Sequence, residues 1–324
     1  IERDQTSASL SIVDPLVSDN CGVDILTWSI TGASNATSPA SGINLLGTND
    51  FNLGVSTVTY RASDMIGNYS ECSFIVTVEY KLPEILSVSI PNATMKIGDV
   101  VSATINVASD GGNEFTMVSG AIGGYSLYNF QRIDESTYLA NFEIMEGGNS
   151  YLASENIPVT NLIISDGPVQ SLPYNLPIIQ GNDLLDAQLP VINSAVAVSG
   201  IYGIGDILVL NISADGLNYI LHPSSTVNGV LASEPNVLLT ELGGGNYSLS
   251  YVVQEGDEDV ATGELLGSLM LVKPSGNISL PFTEIGNIAS VAIDAHAPVI
   301  ARMEVPDIEV GVGGTVQVTI TADE

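Results

Sequence analysis

The stretch KIGDVVSATINVASDG (96–111) decides the fold, because the chain writes it three times. It returns as GIGDILVLNISADG (203–216) and as GVGGTVQVTITADE (311–324), with Gly98, Gly205 and Gly313 at the same place in each. In the first copy Val101, Ala103, Ile105 and Val107 alternate with Ser102, Thr104 and Asn106. In the third, Val316, Val318 and Ile320 alternate with Gln317, Thr319 and Thr321. A period of two sends alternate side chains to opposite faces of a strand, so one apolar face is expected to be buried.

The repeat extends on both sides of this strand. EYKLPEI (79–85), DAQLPVI (186–192) and DAHAPVI (294–300) precede the three copies, and Pro83, Pro190 and Pro298 set a period of about 107 residues. Downstream, STYLANFEIMEGG (136–148) parallels GNYSLSYVVQEGD (245–257), and SLPY (171–174) parallels SLPF (279–282). Thirty-two glycines and fifteen prolines punctuate short strands, and no long stretch combines a 3.6 period with helix caps. At 324 residues the chain is too long for one small sandwich and fits about three. The expectation is an all-β chain of tandem immunoglobulin-like β-sandwich domains in an elongated array. The expected domains are 1–80, 81–188, 189–296 and an incomplete start at 297–324. Two strands cannot make a sandwich, so a larger parent protein is expected.

Thirty-seven acids face only seven bases, for a net charge of −30. The acidity comes from missing bases rather than from surplus carboxylates. Without a basic patch the chain cannot neutralise phosphates, which excludes a nucleic-acid role. Anionic membrane surfaces would repel it, and no apolar run approaches the ~18 residues of a membrane span. Residues 1–10 lack a signal peptide's basic start and apolar stretch, so any secretion signal of the parent is expected upstream.

Catalysis has little to work with. His222 and His296 stand beside no nucleophile motif, and HExxH, GxSxG and phosphate-binding loops are absent. No catalytic residue is expected, although carboxylate pairs meet only in a fold. Calcium is the expected cofactor, because hard cations want several oxygen ligands and acids gather at the junctions. The candidates are Glu79, Glu84 and Asp110 at the first junction, and Glu146, Asp183, Asp186 and Asp215 at the second. At the third they are Glu255, Asp257, Asp294 and Asp323, with Glu258, Asp259 and Glu324 nearby. The alternative is that these acids only solvate loops and caps.

Cys21 and Cys72 read either as one disulfide in an oxidising compartment or as two free thiols. Asn-x-Ser/Thr sequons stand at Asn35, Asn68, Asn92, Asn211, Asn246 and Asn277, about the number that chance supplies in a chain with so many Asn, Ser and Thr. Trp28 is expected in the first domain's core. Tyr125, Tyr128, Tyr202 and Tyr219 fall in Gly-rich loops, either as a ligand face or as ordinary loop tyrosines.

SDNCG (18–22), FNLGVSTVTY (51–60) and ASDMIGNYSECSFIVTV (62–78) resemble the hyalin repeat (HYR) family. That resemblance implies a Cys21–Cys72 disulfide and an Asp-x-x-Gly-Asn turn at Asp64, Gly67 and Asn68. The later repeats are similar to bacterial Ig-like domains strung along giant surface adhesins, whose junctions read Asp-x-x-x-Pro, as at Asp186–Pro190 and Asp294–Pro298. The arrangement resembles large adhesins of gliding Bacteroidota. It implies an extracellular, cell-surface stalk or spacer that projects a distal region binding a glycan or protein ligand. The alternatives are a ligand-binding adhesion module and an accessory region of a secreted hydrolase.

Overall fold

The structure, a computed structural model, describes residues 1–109, 111–167 and 169–322. Its regular elements are strands, apart from one short 3-10 turn at Ile288–Ser290 among the described residues. The chain divides into two compact units. The first takes Ile1–Asn92, Val100–Glu143 and Ser154–Asp183, and the second takes Ala93–Asp99, Ile144–Ala153 and Leu184–Glu324.

The first unit holds two immunoglobulin-like sandwiches. In the N-terminal one, Gly54–Ser63 lies antiparallel between Ile25–Gly32 and Tyr69–Val78, and Ser7–Ser11 pairs with Thr48–Asn52. Leu26, Phe51 and Val58 are fully buried where the two sheets meet, and Trp28 packs against this cluster as expected. Gly32 holds φ +107°, and a Cβ there would stand 2.5 Å from the Val55 carbonyl oxygen, so the close approach of the paired strands requires glycine.

In the following sandwich, Val100–Val107 lies between Ile85–Ser89 and Thr137–Glu143, with Tyr128–Arg132 at the edge. Thr116–Ile122 pairs with Val159–Asp166 in the facing sheet. Val101, Ala103, Ile105 and Val107 are all buried, as the alternation requires. Tyr125 of one sheet stacks on Phe142 of the other, ring centroids 6.1 Å apart. Each fully buried side chain of this size contributes on the order of 1.5–3 kcal/mol of transfer free energy.

The second unit is built on a five-stranded sheet ordered Val237–Gly243, Asn246–Val252, Ile207–Ala214, Ile192–Ala197 and Ile285–Gly286. Short pairs such as Gly200–Tyr202 with Val291–Ile293 cover it. Leu208, Leu210, Leu249, Tyr251, Leu269, Leu271 and Val291 belong to one core, each without accessible surface. Met95–Lys96 pairs in parallel with Leu185–Asp186 in the same unit.

The repeat read from the sequence is repeated in detail by the backbone. Gly98 and Gly205 hold φ +86° and +87°. Gly98 N–H donates to the Ile144 carbonyl at 2.9 Å, and Gly205 N–H to that of Val253 at 2.8 Å. Asp99 caps the Lys96 N–H at 2.8 Å, and Asp206 caps that of Gly203 at 2.9 Å.

The third copy departs from its expected burial. Val316, Val318 and Ile320 are exposed, by 43, 45 and 57%. Ile300–Glu304 and Thr319–Ala322 form only a two-stranded hairpin, and a lone hairpin has no second layer to cover an apolar face.

Candidate functional site at the repeat junctions

The linker Asp186–Gln188 is gripped from two sides. From one side, Gly147 N–H donates to the Ala187 carbonyl at 2.9 Å, and Ser150 Oγ accepts the Ala187 N–H at 2.9 Å. From the other comes the turn that follows the strand Leu271–Val272. Lys273 Nζ lies 3.4 Å from Asp186 Oδ1 and donates to the Gln188 carbonyl at 3.0 Å. Ser275 Oγ donates to Asp186 Oδ2 at 2.6 Å. Asn277, 3% exposed, donates to the carbonyls of Asp186 and Gln188 at 2.8 and 3.1 Å and accepts the Ile97 N–H at 3.1 Å. Both members of the Lys273–Asp186 pair are only 15% exposed at the side chain, which strengthens the attraction relative to a surface pair.

The linker Asp294–Ala297 repeats half of this arrangement. Gly256 N–H donates to the Ala295 carbonyl at 2.9 Å, as Gly147 does to Ala187. Asp259 takes the place of Ser150: its Oδ1 accepts the Ala295 N–H at 2.7 Å and lies 3.0 Å from His296 Nδ1. The Ala295 N–H and then His296 hold the Asp259 carboxyl below the ordinary carboxylate range. Glu255 Oε1 accepts the Ala297 N–H at 3.3 Å. Asp257 accepts from the buried Tyr251 hydroxyl at 2.6 Å and from the Gln254 N–H at 2.8 Å.

In the first unit Arg3 Nη1 meets Asp166 Oδ1 at 3.0 Å, with the Asp166 side chain 3% exposed. Lys81 lies 3.5 Å from Glu2. The turn at Asp64, Gly67 and Asn68 has the form its resemblance implies. Asp64 accepts from the Asn68 side chain at 2.8 Å and from the N–H groups of Ile66 and Asn68, which lowers its carboxyl. Cys21 and Cys72 are both exposed free thiols, so the disulfide that the resemblance implies is not formed in this structure. Cys72 lines a cavity of about 660 Å³ with Val13, Leu16, Tyr60, Tyr69 and Phe74.

The expected calcium ligands do not converge. Among the described residues no three Asp, Glu, His or Cys side chains stand together to hold a metal. Asp110 and Asp323 lie outside the described residues. Glu79, Glu84 and Glu146 are exposed. Asp215 accepts from the Val191 N–H at 2.8 Å and the Tyr219 hydroxyl at 3.1 Å, and Asp294 caps His296 N–H at 3.4 Å. Asp186 faces an ammonium group. Asp183 differs from them all: it is fully buried, and both of its carboxylate oxygens lack a hydrogen-bond partner.

The tyrosines are not a ligand face. Tyr125, Tyr202 and Tyr219 are buried, and Tyr128 alone of the four is exposed; Tyr125, Tyr128 and Tyr202 stand on short strands rather than in loops. Asn277, read from the sequence as a sequon, is a buried junction residue. Sequence reading passed over Arg3, Asp166, Lys273 and Ser275. Their only signal was that bases are scarce, and their partners lie far away in the chain.

Residues 1–78 match the HYR domain model. This HYR match covers the N-terminal sandwich and leaves the later repeats unassigned. No curated protein matches the chain. Solved structures with similar folds include an Antarctic bacterium's Ca2+-stabilized, ice-binding adhesin (12% identity over 89% of this chain and 68% of that one, TM-score 0.35). The Escherichia coli adhesin FdeC (13%, 85% and 88%, TM-score 0.34) and titin domains I67–I69 (12%, 83% and 88%, TM-score 0.35) are others. TM-scores of this size fix neither arrangement nor function. No helix among the described residues is long and apolar enough to cross a membrane.

Proposed function

We propose that this segment is a non-enzymatic, extracellular spacer of a large cell-surface adhesin. One observation carries the reading: successive linkers are held by the same turn in the same way, Gly147 on Ala187 and Gly256 on Ala295. Polar groups that an active site would aim into a cleft are spent here on joining one sandwich to the next. The HYR match at residues 1–78 and the acidic, base-poor surface agree with an extracellular module. Recognition of a glycan or protein at the cell surface then belongs to other parts of the parent protein, and neither nucleic acid nor membrane insertion enters. Calcium stiffening is confined in this reading to Asp183, whose buried, unpartnered oxygens suit a hard cation; the other named acids among the described residues already have partners or stand exposed.

An in-frame deletion of residues 189–296 in the full parent tests the spacer role. The shortened protein should bind soluble ligand with unchanged affinity while adhesion at a distance from the cell falls. Loss of soluble-ligand binding on that deletion would overturn the reading.

A further inference from the structure

The chain has seven basic side chains, and four of them, Arg3, Lys81, Lys96 and Lys273, lie at a repeat boundary. Two of these boundaries are made by the same piece of structure. Ile164 N–H donates to the buried Ser171 Oγ at 3.1 Å, and Leu271 N–H donates to the buried Ser279 Oγ at 2.9 Å. Residues 165–167 and 272–276 therefore follow equivalent positions in successive repeats. Each carries a glycine with positive φ, Gly167 at +62° and Gly276 at +90°. Over each lies a basic side chain from an earlier segment. A Cβ on Gly167 would stand 3.1 Å from the Arg3 guanidinium, and one on Gly276 3.3 Å from Lys96 Nζ.

We propose that this turn is the docking key of each repeat, that its partner is the chain segment preceding that repeat, and that its charge is inverted between successive repeats. In the earlier turn Asp166 supplies the carboxylate and Arg3 the cation. In the later turn Lys273 supplies the cation and Asp186 the carboxylate. The matching makes the order of repeats specific: placed behind the wrong neighbour, Lys273 would lose Asp186, and Asp166 would lose Arg3. A charge left without its partner disfavours the wrong pairing. It also gives these two junctions their own covalently attached cations, so the pairs themselves need no metal, whatever Asp183 binds. The inference goes beyond the spacer reading and stands whatever the parent protein binds.

A charge-swap cycle in the whole chain tests it, with Lys273→Asp, Asp186→Lys and the double variant, all in chelator. The readout is the rate of limited proteolysis within 184–190. Each single change should speed cleavage about three- to tenfold, and the double should return to within about twofold of the parent chain. Arg3→Asp with Asp166→Arg should behave alike at the first junction. Hydrogen exchange in the strand Ile207–Ala214 checks that the sandwich stays folded, and Lys273→Met replaces any variant that does not. Additive effects in the double variant would overturn the proposal, as would equal loosening of the parent chain by chelator alone.

Discussion

His296 and Asp259 meet at 3.0 Å across an interval of 37 positions, and the same carboxylate oxygen accepts the Ala295 N–H at 2.7 Å. One acidic side chain thus holds the start of a linker by its backbone and by its histidine. Ser150 does the backbone half of this task for Ala187 one repeat earlier, without a charge.

The charge gives the later linker a pH dependence. The Asp259 carboxyl is depressed in the folded state by these hydrogen bonds, so its contribution is present above the unfolded carboxylate value of about 4. It is lost as pH falls through the lower folded value. Asp259→Asn should make the 294–297 linker easier to cleave at neutral pH, and the difference from the parent chain should vanish as pH falls through the lowered folded value of the carboxyl. Proteolysis with an acid-active protease across this range checks it; a difference that persists at low pH would remove the carboxylate from the account.

Asp183 is expected to cost stability when no cation is supplied. A buried carboxylate with neither oxygen paired is more expensive than a neutral amide of the same shape. Asp183→Asn should therefore raise stability by roughly 1 kcal/mol or more in urea unfolding carried out in chelator. In millimolar calcium the order should reverse, because the parent chain alone offers the charged ligand. A destabilised Asp183→Asn in chelator would show that the carboxylate has a partner.

Tyr247 joins two polar groups at the edge of its core. Its hydroxyl accepts the Tyr219 N–H at 3.2 Å and donates to the Gly216 carbonyl at 3.0 Å. Burial pushes the Tyr247 hydroxyl pKa up, so it stays protonated and able to donate at any ordinary pH. Tyr247→Phe leaves the Tyr219 N–H without its partner and should cost about 1–3 kcal/mol in urea unfolding. Tyr138, whose hydroxyl accepts the Phe115 N–H at 3.0 Å, should behave alike. A change below a few tenths of a kcal/mol at both positions would show that water serves these N–H groups equally well.

The two thiols offer a redox test of the first domain. Joining Cys21 to Cys72 closes a loop of about fifty residues, which stabilises by roughly 4 kcal/mol in the chain-entropy model. Peptide mapping of the oxidised chain should recover one cross-linked pair, and reduction should lower the first domain's melting temperature alone. Two free thiols after exposure to a disulfide-exchange buffer would overturn the pairing.

The sequence by itself determined the strands and their repetition. Local alternation fixes which of Val101, Ser102 and Ala103 turns inward, and a glycine at 98 or 205 fixes a turn, because both are properties of neighbouring residues. Acid-rich junctions were visible for the same reason. What each acid meets was not. Asp186 pairs with Lys273 and Asp259 with His296 through contacts between residues distant in the chain, and single-residue spacing carries no record of them. The fate of Asp183 likewise depends on what packs over it. Only the tertiary structure decided that a lysine answers the second junction's charge, because electrostatic partnership depends on distance in space and burial rather than on order along the chain.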